Sequence, residues 1–432
     1  MTTNSQQTIS DTFCPYPWIH SYLGCSYERK LCCISDDLEE FQKVPTEQFW
    51  NSYRMKSIRK QMINGEEVSI CHKCYDAQRN GITSLREEIL SHTQMKDTLK
   101  YIEKTDSTGF YSGQPNYFDY RTLQCNLQCV SCGGVYSSKH KILFNKMWGG
   151  EKEESSRDIE FEHIMGDEIV ESIRNKTCDT IYWAGGEPMI SLVHWKVMDE
   201  ISKLRKNPEY ENYINNIHIH YNTNLTQLHW KSQSIPHLIA LSKPSIQASL
   251  DGTNETIEYT RDGVKWETIK NNWKYYHKTL HKRNKMGVAS VLSSPVIMDI
   301  DRWFDFFEPY DPHVYNHQYF CSPEYYPETA ACFLDVKLFP KHIFDRIINH
   351  AIERFRATQL NGAIKSIEIL KAYINDRELK ADFYNNMDMI KEIKKGTIYR
   401  DKFLITKRPY HELLKIIDTE AYEWYMSINI EE

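Results

Sequence analysis

The stretch RTLQCNLQCVSCGG, residues 121 to 134, sets three cysteines on one short segment: Cys125, Cys129 and Cys132. It follows the alternating run YFDYRTL, which has the period of a strand. Three thiolates can hold three irons of a cubane and leave the fourth open, whereas a purely electron-transferring cluster normally takes a fourth protein ligand. A closed structural zinc site also needs four ligands, and the next residues, Gly133, Gly134, Val135 and Tyr136, supply none. Zinc, or free thiols packed as small hydrophobes, remains the competing reading of the segment alone.

Outward from this loop, short β-like runs alternate with longer helical stretches. The runs TIYWAGG, IHIHYNTN, SIQASLD and MGVASVL are separated by segments with helical periodicity. Such an order predicts a parallel sheet or partial (β/α)6 TIM-like barrel with its loops gathered on one face. The polar candidates fall just after strands: the cysteines after the first, Gly185, Gly186, Glu187 and Pro188 after the second, Asn222, Thr223 and Asn224 after the third, Ser249 and Asp251 after the fourth. Two glycines in succession allow main chain to approach a small polar ligand closely, although Gly-Gly-Glu-Pro alone reads as a turn.

Upstream, Cys14, Cys25, Cys32 and Cys33 precede an amphipathic stretch, EQFWNSYRMKSIRKQMINGE, which reads as one helix stopped by Asn64 and Gly65. Cys71 and Cys74 then form a CxxC pair. This pattern predicts a metal-stapled module with Cys14, Cys33, Cys71 and Cys74 as ligands, Cys32 competing with Cys33 and Cys25 as a further replacement. Spacing does not separate zinc from iron and sulfur here. His20 and His72 read as surface or supporting residues, and Cys178 as a structural thiol. Domain limits are expected at residues 1–105, 116–335 and 336–432, the last a helical region that includes FLITKRP.

The chain of 432 residues carries a formal charge of −6, which asks for neither a nucleic-acid partner nor an anionic membrane. Its 28 tyrosines, 10 tryptophans and 17 phenylalanines fit large α/β packing or an aromatic-lined groove. The start, MTTNSQQTISDTF, has no secretion-signal pattern and no span is long enough to cross a bilayer, so a cytoplasmic location is expected. Twelve unevenly clustered cysteines then suit ligation better than disulfides.

At C125-NLQ-C129-VS-C132, A184-G185-G186-E187-P188, N222-T223-N224 and S249-L-D251-G252, over roughly residues 117 to 320, the sequence resembles the radical S-adenosylmethionine enzymes. The resemblance implies a [4Fe-4S] cluster on Cys125, Cys129 and Cys132 whose open iron takes S-adenosylmethionine. It also implies that Gly185, Gly186 and Glu187 lie near the methionine amino group, and Asn222, Asn224, Ser249 and Asp251 near the ribose or carboxylate. Reductive cleavage would give a 5'-deoxyadenosyl radical that abstracts a substrate hydrogen. Ser131 stands where members usually have an aromatic residue, and Leu225 where many have glycine. C14-PYPW, C32-C33, C71-HK-C74 and G81-ITSLR86, over residues 12 to 90, resemble the auxiliary-cluster domains called SPASM or twitch, here placed before the barrel. That likeness implies an auxiliary [4Fe-4S] cluster, a reductant such as flavodoxin or ferredoxin, and a peptide or protein side chain as substrate. An amino acid, sugar or nucleotide-derived metabolite is the alternative substrate, and a zinc-stapled, non-catalytic binding protein the alternative class. Cys321 and Cys332 read as structural thiols that could instead donate a hydrogen atom or touch a cluster.

Overall fold

The computed structural model describes residues 9–38, 40–81, 83–92, 95–133, 136–148, 158–240, 242–280, 286–318 and 333–430. Cys321 and Cys332 lie outside them. The strands in chain order are β1 (His20–Leu23), β2 (Arg29–Lys30), β3 (Tyr117–Thr122), β4 (Gln128–Cys129), β5 (Thr180–Gly185), β6 (His218–Thr223), β7 (His229–Trp230), β8 (Gln233–Ser234), β9 (Lys243–Ser249), β10 (Arg261–Asp262), β11 (Met286–Leu292) and β12 (His313–Gln318). The chain divides into two compact units, one of residues 1–122, 157–185 and 191–219 and the other of residues 123–156, 186–190 and 220–432. These units are interleaved in sequence.

In the first unit, β1 pairs in parallel with β3, and β3 with β5, while β2 folds back antiparallel on β1. The N-terminal cysteine module therefore contributes a strand to the parallel sheet. The turn between β1 and β2 sets Tyr22 opposite Lys30 and Leu23 opposite Arg29. The predicted single helix over residues 47–66 is two, Thr46–Trp50 and Tyr53–Ile63. Its break lies at Ser52, whose hydroxyl accepts from the amide of Met55 at 3.3 Å and starts the second helix as an N-cap. Met55, Ile58 and Met62 enter the core, but Tyr53, at the helix start, is exposed. The helix stops at Asn64, followed by Gly65 at φ +78°, as expected. Farther on, Asp158 caps the helix Ile159–Arg174 through the amide of Phe161 at 2.9 Å.

The second unit pairs β9 with β11 and β11 with β12, both in parallel. Within each unit the strand pairs are mostly parallel, consistent with a partial TIM-like barrel. A helical C-terminal region follows: Lys341–Ala357, Ala363–Leu379, Met387–Asp401, Tyr410–Ile417 and Thr419–Ser427. FLITKRP is not part of it. The carboxylate of Asp262 instead takes the amides of Ile405 at 2.7 Å and Thr406 at 2.9 Å, satisfying donors that a helix would have bonded internally. Among the described residues no helix is long and apolar enough to cross a membrane.

Candidate functional site

Within the second unit, the cysteine loop is fastened at several points. The amide of Cys125 donates to Ser138 Oγ at 3.3 Å, that of Val130 to the carbonyl of Thr260 at 2.9 Å, and that of Cys132 to the carbonyl of Cys129 at 3.0 Å. The two-residue strand β4 pairs antiparallel with β10, setting Cys129 opposite Arg261. His140 Nε2 donates to the Cys129 carbonyl at 3.0 Å. The three thiols act on one another electrostatically, and burial raises all three, Cys132 to about 11.

Arg261, which the sequence reading did not single out, brings a cation to this loop. Nη1 donates to Cys129 Sγ at 3.9 Å, and Nη2 lies 3.1 Å from the Asp251 carboxylate. Asp251 is buried, and its other oxygen accepts from the amide of Val291 at 2.7 Å. One strand end and the cysteine loop therefore share a guanidinium. A charge so placed favours the thiolate over the thiol, against the burial that opposes it.

Glu187 is fully buried. Its Oε1 accepts from the Met189 amide at 3.0 Å and the Thr223 hydroxyl at 2.8 Å, and its Oε2 from the Asn224 amide at 2.7 Å. Burial outweighs these donors and pushes its carboxyl up to about 7. Asn224 accepts from Thr226 and donates to Asn126 Oδ1 at 2.9 Å, while Asn126 donates to Thr226 Oγ1 at 2.8 Å. Asn126, between Cys125 and Cys129, is thus a second residue that sequence reasoning missed. Its only signal was a carboxamide inside the motif.

Gly186 is required by space. A Cβ there would lie 2.1 Å from the carbonyl oxygen of Gln124 and 3.1 Å from Cys125 Cβ. Gly185 belongs to the first unit, where it pairs with Thr122 at φ +93° and a Cβ would meet the Thr122 carbonyl at 2.3 Å. Leu225, where the resemblance favours glycine, does adopt φ +59°. Ser249 is half-buried at the end of β9, opposite Ala289. Among the described residues, Oδ1 of Asn222 and Nε of Arg261 are buried without a hydrogen-bond partner, groups that a bound polar molecule would satisfy.

In the first unit, Cys14, Cys32, Cys71 and Cys74 line one cavity of about 420 Å³, counted with its open mouth, together with Lys73 and Arg86. Cys71 ends a 3-10 turn and Cys74 sits one turn into the helix His72–Arg79. Cys32 is held by Ser35, whose hydroxyl accepts from its amide at 3.3 Å. Cys33 is exposed and does not line the cavity, and the charged residues acting on it are Arg121 and Asp119. Cys25 donates to the Thr122 carbonyl at 3.5 Å, away from the cavity. His20 is buried rather than on the surface, His72 is exposed, and Cys178 is a buried thiol. Burial raises Cys32 to about 11 and Cys71 to about 12. No group of three or more Cys, His, Asp or Glu side chains among the described residues converges as a metal-ligand set, so both thiol groups are neighbours rather than closed cages.

No family model and no curated protein matches the chain. Solved structures similar to it include Streptococcus suis SuiB bound to S-adenosylmethionine, at 15% identity and TM-score 0.36 over 71% of this chain and 61% of that one. SuiB bound to precursor peptide SuiA matches at 12% identity and TM-score 0.35 over 76% and 66%. Native anSMEcpe with bound AdoMet matches at 17% identity and TM-score 0.35 over 57% and 62%. The chain thus spans less than two thirds of each. Backbone likeness at this level does not carry side-chain chemistry across.

Proposed function

We propose that the protein is a radical S-adenosylmethionine enzyme that modifies a peptide or protein side chain. Cys125, Cys129 and Cys132 would hold a [4Fe-4S] cluster, and Cys14, Cys32, Cys71 and Cys74 an auxiliary one, with Cys32 in the place expected for Cys33. The observation carrying this reading is the arrangement around the cysteine loop in the second unit: three thiols, the close approach of Gly186, and the Glu187–Asn224–Asn126 network. When bound, the cluster supplies the electron that cleaves S-adenosylmethionine to methionine and a 5'-deoxyadenosyl radical.

The chain's own part is placement. Glu187 fixes the turn after β5 to the end of β6 by accepting from Thr223 and Asn224. Asn126 and Asn224 fix the cysteine loop to that same strand end. Arg261 balances negative charge on Cys129 while Asp251 holds the guanidinium. Asn222 Oδ1 offers an acceptor, and Arg261 Nε a donor, to the polar parts of a bound S-adenosylmethionine. Electrons would come from a small carrier such as flavodoxin or ferredoxin.

The test is anaerobic reconstitution with iron and sulfide, reduction by dithionite, and mass analysis for 5'-deoxyadenosine. Wild type should form it and Cys129→Ala should not. Stoichiometric zinc without sulfide, or iron-replete protein that never cleaves the cofactor, would instead assign a non-catalytic, metal-stapled binding protein.

A further inference from the structure

A polar cluster in the first unit takes no part in the chemistry above. Across β1, β3 and β5 the register sets Tyr22 beside Asp119 and Asp119 beside Tyr182, and His20 and Arg121 share this face by the two-residue strand period. Asp119 is 4% exposed and accepts from Arg121 Nε at 3.1 Å and Nη2 at 3.2 Å. The guanidinium lies 5.1 Å from the Tyr22 ring centroid and 5.5 Å from that of Tyr182, so two aromatic rings and a carboxylate fix its plane.

His20 is 3% exposed, and its Nδ1 lies 2.8 Å from the carbonyl of Leu31. A carbonyl can only accept, so Nδ1 carries the proton and donates. Nε2 of the neutral ring is then an acceptor. It is buried, has no hydrogen-bond partner among the described residues, and faces Asp119 Oδ2 at 3.8 Å. Burial holds His20 below its ordinary pKa, in keeping with a neutral ring. Two acceptors therefore face each other with no donor between them, an arrangement that costs free energy until a donor arrives. Nη1 of Arg121, on a side chain still 21% exposed, makes no hydrogen bond among the described residues.

The charges of Arg121 and Asp119 cancel. A bound anion would leave a net negative charge facing two further acceptors, and a bound cation would meet the guanidinium. A neutral group with both N–H and C=O satisfies every open position. We propose that this face binds a carboxamide of the substrate, a side-chain or backbone amide, with its N–H donating to His20 Nε2 and Asp119 Oδ2 and its carbonyl accepting from Arg121 Nη1. The proposal deepens the peptide-modifying reading by naming the part of the substrate recognised. Binding is read without S-adenosylmethionine or reductant, so its failure leaves the cofactor-cleavage test untouched.

The full-length protein, labelled with 15N-histidine, is titrated separately with acetamide, acetate and methylammonium. His20→Phe assigns the resonance. Acetamide should move the His20 Nε2 signal saturably in the direction of a nitrogen accepting a hydrogen bond, while the other two probes leave it in place. Arg121→Lys, which keeps the charge but loses the forked geometry, should weaken the acetamide response roughly tenfold. A larger response to acetate or methylammonium would overturn the assignment to a neutral amide. Silence towards all three in the wild-type protein would overturn the site itself and leave the cluster as internal packing.

Discussion

Glu187→Gln isolates one buried charge. The wild-type carboxylate accepts three hydrogen bonds through two oxygens. A glutamine of the same shape offers one oxygen and turns its NH2 towards one of those donors. The wild-type carboxyl titrates near 7 in the folded protein because burial disfavours its charged form, against about 4.3 in an unfolded chain. The folded state therefore holds the proton more tightly than the unfolded state between those values. This group's contribution is fully present below the unfolded pKa and is lost as pH rises towards the folded one. Between pH 5.5 and 8.5 only the span up to about 7 counts. That is about 1.5 pH units, or about 2 kcal/mol at 1.36 kcal/mol per unit.

Glutamine does not titrate, and other groups cancel in the difference between the two proteins. Equilibrium urea unfolding of both at pH 5.5 and 8.5 should show the stability gap between wild type and Glu187→Gln shift against wild type by about 2 kcal/mol at the higher pH. A gap that stays constant would mean the carboxylate is ionised throughout. The burial argument would then be wrong and the three donors would be the controlling influence.

Gly186→Ala forces a Cβ against the Gln124 carbonyl, and backbone on both sides leaves little room to yield. A cost of about 1–3 kcal/mol is expected, together with loss of iron from the Cys125 loop on reconstitution, read by iron analysis with the auxiliary site as internal control. Cys32→Ser should lower reconstituted iron by about four per chain, whereas Cys33→Ser should leave it unchanged, and the reverse result would return Cys33 to the ligand set. Leu225→Gly relieves a left-handed residue at a gain of about 1 kcal/mol but removes a fully buried side chain worth about 2–5 kcal/mol. Net destabilisation is therefore expected in urea, and a more stable variant would show that backbone strain dominates there.

The parts of the site that were legible in the sequence are those written as local patterns. The cysteine spacing, the glycine pair and the polar residues at strand ends are each contiguous, and strand period places them without knowledge of their partners. Arg261 and Asn126 were not legible because their roles exist only through residues far along the chain. Cys33 and Cys32 are equivalent by spacing, and only the fold turns one into the cavity and leaves the other exposed. The helix break at Ser52 was present in the sequence as a capping residue, but the apolar periodicity on both sides hid it. FLITKRP looks helical by composition, yet Asp262, far upstream, offers its backbone amides a better acceptor. Likewise nothing local in HSYL says that it joins Tyr117–Thr122 rather than staying within the N-terminal module.

The fastening of the cysteine loop also fixes when it can exist. Asn126 waits for Asn224, 98 residues later, and Cys129 for Arg261, 132 residues later. During synthesis, at some 5–20 residues per second, the three thiols emerge many seconds before the groups that pin them. The loop cannot reach its final form until the chain has passed residue 261, so on the proposed reading a metal held by Cys125, Cys129 and Cys132 would be taken up only after that point, and a nascent chain stalled before it presents only loose, oxidisable thiols.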